Sequence, residues 1–142
     1  MSSSKKPQPD CFTFKLAKAY QRSHGHIRRK LEPFGLTNIQ HVVLEGLWYE
    51  EGQTAADLGK LLVLDKATLS GVLARMQESE WIERRPDTED GRVMRIFTSA
   101  KADAVKDNLI AARIQSDDEL LGHFSLEERL LFKRFLLDIA GT

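Results

Sequence analysis

One stretch of this chain breaks with helical periodicity. WIERR, residues 81–85, and RVMRIF, residues 92–97, alternate polar and apolar side chains around PDTEDG, residues 86–91. Alternation on both sides of a Pro-, Asp- and Gly-bearing turn predicts a two-stranded β-hairpin. Any fold for this chain must carry that charged hairpin among helices, and must account for what its tip touches.

The rest reads as helix. Residues 1–9 are a disordered arm by composition. From Asp10, the residues Leu16, Tyr20, Ile27, Leu31 and Phe34 keep helical spacing, with Arg22, Arg28, Arg29 and Lys30 between them. Glu32-Pro33 and Gly35 stop this helix, and Gly25 inside it marks a bend or a close helix contact. Thr37-Asn38-Ile39-Gln40 is a capping box that opens a second helix, running to Glu50-Glu51-Gly52. Thr54 caps a short third helix and Asp65 a fourth, KATLSGVLARMQES. Helical spacing returns at Ser99 and lasts to about residue 121, and Ser125-Leu126-Glu127-Glu128 caps a last helix that reaches Ile139.

This order predicts a mainly α fold with a small β-hairpin wing, a winged helix-turn-helix over residues 37–98. The long flanking helices, in 10–36 and 99–142, have nothing to pack on inside one compact domain. A second copy of the chain is their simplest partner, which makes a homodimer.

Composition bounds the function. The 21 basic and 21 acidic residues cancel, so a basic surface must be made by folding. The bias is local: residues 1–31 hold eight Lys/Arg against one acid. No apolar run reaches the roughly 18–20 residues that cross a membrane, and no signal peptide opens the chain. The single Cys11 excludes an internal disulfide framework, so the cytoplasm is the expected compartment. No phosphate loop, His-Glu-x-x-His, nucleophile elbow or Cys-x-x-Cys occurs, so neither an enzyme nor a cofactor is expected.

On the fourth helix, Leu69, Val72, Leu73 and Met76 form one apolar stripe. The opposite face carries Lys66, Ala67, Thr68, Ser70, Gly71, Ala74 and Arg75. Gly71 costs roughly 1 kcal/mol against Ala in a helix interior. Small residues allow close approach while Lys, Thr, Ser and Arg supply donors, the combination a DNA major groove requires.

The block from Asp57 to Ala100 resembles the core of the MarR family of bacterial transcription regulators. The resemblance is carried by Thr68-Leu69-Ser70, Trp81-Ile82-Glu83-Arg84, Asp90-Gly91-Arg92, and Phe97-Thr98 where the family has Leu-Thr. GLTNIQ, residues 35–40, is similar to the segment that opens the family's second helix. The match covers roughly residues 14–140. Lys101 departs from a common Gly.

The resemblance implies a homodimer whose two recognition helices enter successive major grooves of a pseudo-palindromic double-stranded DNA operator. Carried over, Lys66, Thr68, Ser70 and Arg75 are the groove contacts and Arg92 is the wing-tip arginine of the minor groove. Asp90 orients an arginine, either Arg92 or Arg75. Arg84, Arg85 and Arg95 reach phosphates or pair with Glu83, Asp87 and Glu89.

Family members answer to a phenolic ligand, an oxidant or a metal, and repression is the family habit. Tyr20, His24, His41, Glu45 and Trp48 have spacings that line the family's usual pocket for a small aromatic effector, between helices 1, 2 and 5. The hydroperoxide-sensing branch keeps its cysteine near the position of Thr13, and its partner tyrosines are Ile27 and Asn38 here. Cys11 is therefore read first as a terminal or interface residue, with redox sensing as the alternative. His24 and His26 are two residues apart and leave a helix on different sides, so no metal site is expected. A winged-helix protein–protein module is the competing class.

Overall fold

The expected helices begin where their capping residues sit. The computed structural model describes residues 6–142. Of the arm expected over residues 1–9, residues 1–5 lie outside the described residues. Helix α1 (Phe12–Leu31) starts two residues after Asp10, with Cys11 at its N-cap. Pro33 ends it: Glu32–Phe34 tighten into a 3-10 turn, and Gly35 closes that turn at φ 70°.

Helix α2 (Asn38–Tyr49) opens on a complete capping box, Thr37 Oγ1 accepting from the Gln40 N–H while the Gln40 side chain accepts from the Thr37 N–H. Helices α3 (Ala55–Leu62), α4 (Lys66–Glu78) and α5 (Ala100–Leu121) are capped by Thr54, Asp65 and Ser99. A second capping box, Ser125 with Glu128, opens α6 (Leu126–Ala140). Each cap satisfies an amide that the helix itself leaves without an acceptor.

Strands β1 (Ile82–Pro86) and β2 (Met94–Thr98) form the antiparallel hairpin, in register from Ile82 opposite Thr98 to Pro86 opposite Met94. All four strand ends differ from expectation: β1 starts at Ile82 and not Trp81, and β2 runs on to Thr98. Pro86 was expected in the turn but ends β1, a position that tolerates a residue without an N–H because β1 is an edge strand. Arg92 and Val93 belong to the turn and not to the strand: the Val93 carbonyl accepts from the Asp87 N–H at 2.8 Å, and the Val93 N–H donates back to the Asp90 carbonyl at 3.0 Å.

Gly25 neither interrupts its helix nor lets another element of the same chain come close. Helix α1 runs through it unbroken, and a Cβ there would meet only the Arg29 guanidinium, at 3.6 Å. The close approach falls at Gly46 of α2, where a Cβ would lie 3.1 Å from Leu58 and 3.2 Å from Leu62 of α3.

One core joins the elements. Val43, Leu44 and Leu47 of α2, Leu58 of α3, Leu69, Val72, Leu73 and Met76 of α4, Ile82 and Ile96 of the hairpin, and Leu109 of α5 are all buried. Helix α5 is tied to α2 by Trp48 to Asp103 and by Glu45 to Arg113. The hairpin is bonded to the α2–α3 connection: the Gly52 N–H donates to the Ile96 carbonyl at 3.0 Å and the Ile96 N–H to the Gln53 carbonyl at 2.9 Å.

Candidate nucleic-acid interface

Burial of its apolar stripe turns α4's other face outward, so Lys66, Ala67, Thr68, Ser70, Ala74 and Arg75 are exposed. Gly71 leaves room for the Arg75 side chain, whose guanidinium would lie 3.7 Å from a Cβ at that position. Asp65 accepts from the Thr68 N–H at 2.8 Å and from its hydroxyl at 2.6 Å. Thr68 therefore spends its hydroxyl proton on its own helix cap and offers the outside a methyl group and an acceptor. Those two bonds hold the Asp65 carboxyl below the usual carboxylate range.

The wing turn is organised by two carboxylates. Asp87 accepts from the N–H groups of Glu89 at 3.2 Å and Asp90 at 3.0 Å, and from Arg95 Nε. Asp90 resolves the alternative left open by the sequence: it holds Arg92 and not Arg75. Its Oδ1 accepts from the Arg92 N–H at 3.0 Å and from Nε at 3.1 Å, with Nη2 at 3.4 Å from Oδ2. The Arg92 side chain is nevertheless 92% exposed. Both carboxyls are held below their ordinary range, Asp87 chiefly by Arg95 and Asp90 chiefly by Arg92.

The other wing arginines are engaged differently. Arg85 donates to Glu83 at 2.8 Å and stacks its guanidinium 4.4 Å over the Phe97 ring. Arg95 pairs with Asp87 and also donates to the Gly52 carbonyl at 2.9 Å. Arg84 is half-buried, with its Nε buried and free of any hydrogen-bond partner. It lines a concavity of about 700 Å³ between α3 and α4, with Lys60, Lys66 and Ser70 on the other walls.

Five residues were expected to line an effector pocket: Tyr20, His24, His41, Glu45 and Trp48. Of the three concavities described on its surface, none is lined by any of them. Tyr20 is exposed and tilted against His24, ring centroids 5.5 Å apart. His41 is buried, its Nε2 lying 3.2 Å from Glu45 Oε1 without closing a hydrogen bond. Glu45 accepts from Arg113 Nε, and Trp48 Nε1 donates to Asp103 at 3.0 Å. Burial pushes the Glu45 carboxyl up, but His41 and Arg113 together outweigh it and leave the group below its ordinary value. The sequence reading missed Arg113 and Asp103, because no local pattern pairs α2 with α5.

Cys11 is exposed, and the backbone N–H groups of Phe14 and Thr13 lower its thiol. His24 and His26 diverge, the first against Tyr20 and the second 3.9 Å from Glu119 on α5. Among the described residues no helix is long and apolar enough to cross a membrane.

A helix-turn-helix that presents an exposed second helix beside a hairpin tipped by an exposed arginine defines a winged-helix DNA-binding protein. The MarR family model matches residues 36–94. The transcriptional regulator HosA of Escherichia coli is 30% identical over 75% of this chain and 79% of its own length. The repressor NicR of Pseudomonas putida is 29% identical over 81% of this chain and 73% of its own. The regulator TtmR of Methylorubrum extorquens is 35% identical over 68% of this chain, which spans 48% of that longer protein. A crystal structure of a probable transcriptional regulator from Pseudomonas aeruginosa superposes with a TM-score of 0.84 at 28% identity, covering 92% of this chain and 97% of the other. An Escherichia coli MarR mutant solved with operator DNA shares the fold, with a TM-score of 0.81 at 20% identity over 89% of this chain and 91% of the other. The chain belongs to the MarR family. It is a DNA-binding transcriptional regulator.

Proposed function

We propose that the protein acts as a homodimer that represses transcription, and that a small aromatic effector releases it from a pseudo-palindromic operator. In each protomer α4 lies in the major groove, with Lys66 near phosphate and Thr68, Ser70 and Arg75 toward base edges. Arg92 enters the flanking minor groove, where narrow A·T tracts focus negative potential. The observation that carries this reading is the pairing of an exposed, small-residue recognition face with a wing arginine that is oriented by Asp90 yet 92% exposed. That NicR is a transcriptional repressor supports the sign of regulation. The dimer is supported by apolar side chains left outside the core, among them Phe12, Leu130, Phe135 and Ile139 on α1 and α6.

The test is binding to duplexes that the protein selects from a random-sequence pool, measured across a salt series. Affinity that falls steeply with salt, and collapses in an Arg75→Ala, Arg92→Ala double variant, is expected. Binding that ignores salt or survives the double substitution overturns the reading. Thermal shifts against a panel of aromatic acids test the effector.

A further inference from the structure

Arg95 does not offer its guanidinium to solvent as Arg92 does. The side chain is 42% exposed, and its Nε and Nη1 are each engaged. Nε donates to Asp87 in the wing turn, and Nη1 donates at 2.9 Å to the Gly52 carbonyl in the α2–α3 connection. Asp87 in turn holds the N–H groups of Glu89 and Asp90, the residues that lead into the Arg92 loop. One guanidinium thus joins the wing tip to the helix-turn-helix. Gly52 suits the other end of the joint. Its φ of 76° lies in the left-handed region, and a Cβ there would meet the Phe97 ring at 3.2 Å. Besides Asp87, Asp57 and Glu89 lie close enough to add favourable charge. Two of the five guanidinium N–H donors are thereby engaged within the protein, and the nearby acids favour keeping the charge in the wing.

We propose that Arg95 is a positioning residue for DNA recognition, clamping the wing turn to Gly52 so that Arg92 and α4 are held at a fixed separation and reach their two grooves together. This rests on the reading of Arg92 as a DNA contact. A rigid joint makes the second contact intramolecular and raises its effective concentration. A loosened joint forfeits that gain although the DNA-facing side chains are all still present.

Four variants separate this role from its rivals: Arg95→Met, Asp87→Asn, Arg92→Ala, and Arg95→Met combined with Arg92→Ala. Each is titrated with a duplex selected by the wild-type protein, over a salt series and at a temperature where circular dichroism shows it folded. Arg95→Met is expected to weaken binding about threefold, less than Arg92→Ala does, with a nearly unchanged salt slope because the Arg92 contact still forms, and to cost nothing further on the Arg92→Ala background. A direct phosphate contact instead lowers the slope by about one and adds to the Arg92→Ala loss. A merely structural role weakens both backgrounds equally. Either result overturns the proposal.

Asp87→Asn is the sharper arm. Removing a negative charge beside DNA strengthens binding on electrostatic grounds alone. The clamp expects weaker binding, and stronger binding overturns it. A readout without DNA keeps failure of the clamp distinct from failure of the Arg92 reading. In the free protein, hydrogen exchange at the Glu89 and Asp90 amides is expected to quicken about tenfold in Arg95→Met. Unchanged exchange means that Arg95 does not hold the turn.

Discussion

The carboxylate of Asp90 grips Arg92 by its backbone N–H at 3.0 Å and by its Nε at 3.1 Å. The pairing fixes the loop conformation and the direction of the side chain with one acceptor group. Arg92→Ala is therefore expected to weaken operator binding about tenfold or more and to lower the salt slope by about one. Asp90→Asn keeps an acceptor for the backbone N–H and loses the charge that aligns the guanidinium, so it falls between Arg92→Ala and wild type. Fluorescence anisotropy at two salt concentrations measures both. An Asp90→Asn protein that binds as wild type does would show that the grip is idle.

What the sequence made legible was local. The caps at Thr37, Thr54, Asp65, Ser99 and Ser125, the buried stripe of α4 and the hairpin all depend on residues within a turn or two of one another. What stayed hidden were partnerships between distant elements. Arg95 read as one more wing cation, and only the approach of the Gly52 carbonyl makes it a clamp. Glu45 read as a pocket residue, and its partner Arg113, 68 positions later, could not be seen in the sequence. Arg84 read as a cation that reaches phosphate or pairs with a neighbouring acid, and the fold half-buries it where it lines the concavity between α3 and α4.

Leu73 is fully buried beneath the recognition face. Leu73→Ala is expected to cost about 2–5 kcal/mol, from lost transfer free energy and the cavity left behind. Urea denaturation followed by circular dichroism reads this loss directly. A cost under about 1 kcal/mol would mean that α4 repacks freely and is not held by this core.

The apolar residues left exposed on α6 include Leu130, Phe135 and Ile139. A charge placed among them must be desolvated if a second chain covers the face. Phe135→Glu is expected to convert a dimer to monomer in sedimentation-velocity runs at micromolar concentration, and to abolish operator binding while the far-ultraviolet spectrum is kept. An undisturbed dimer would place the interface elsewhere.

Acid should weaken the wing and the recognition-helix cap together. Asp65 is held below its ordinary value by Thr68, Asp87 by Arg95, Asp90 by Arg92, and Asp103 by Thr98 and Trp48. A depressed carboxyl contributes stability that is present above its unfolded value and lost as pH falls through its folded one. Stability is therefore expected to hold from pH 7 down to about 5, and to decline below about 4 as these groups take up protons. Denaturant midpoints at several pH values measure it. A flat profile to about pH 3 would contradict the pairings.

Glu45 is the group most finely balanced. Burial raises its carboxyl, and His41 and Arg113 lower it by more. Arg113→Ala removes one of the two opposing partners and leaves burial set against His41 alone. The Glu45 titration, followed by carboxyl-carbon NMR, is expected to move up in pH in the variant. The stability lost relative to wild type should then be fully present at neutral pH and shrink as pH falls through the carboxylate range, because protonation removes the stranded charge. An Arg113→Ala protein whose Glu45 titrates as in wild type would mean that His41 alone sets the group, and that the tie between α2 and α5 carries no charge coupling.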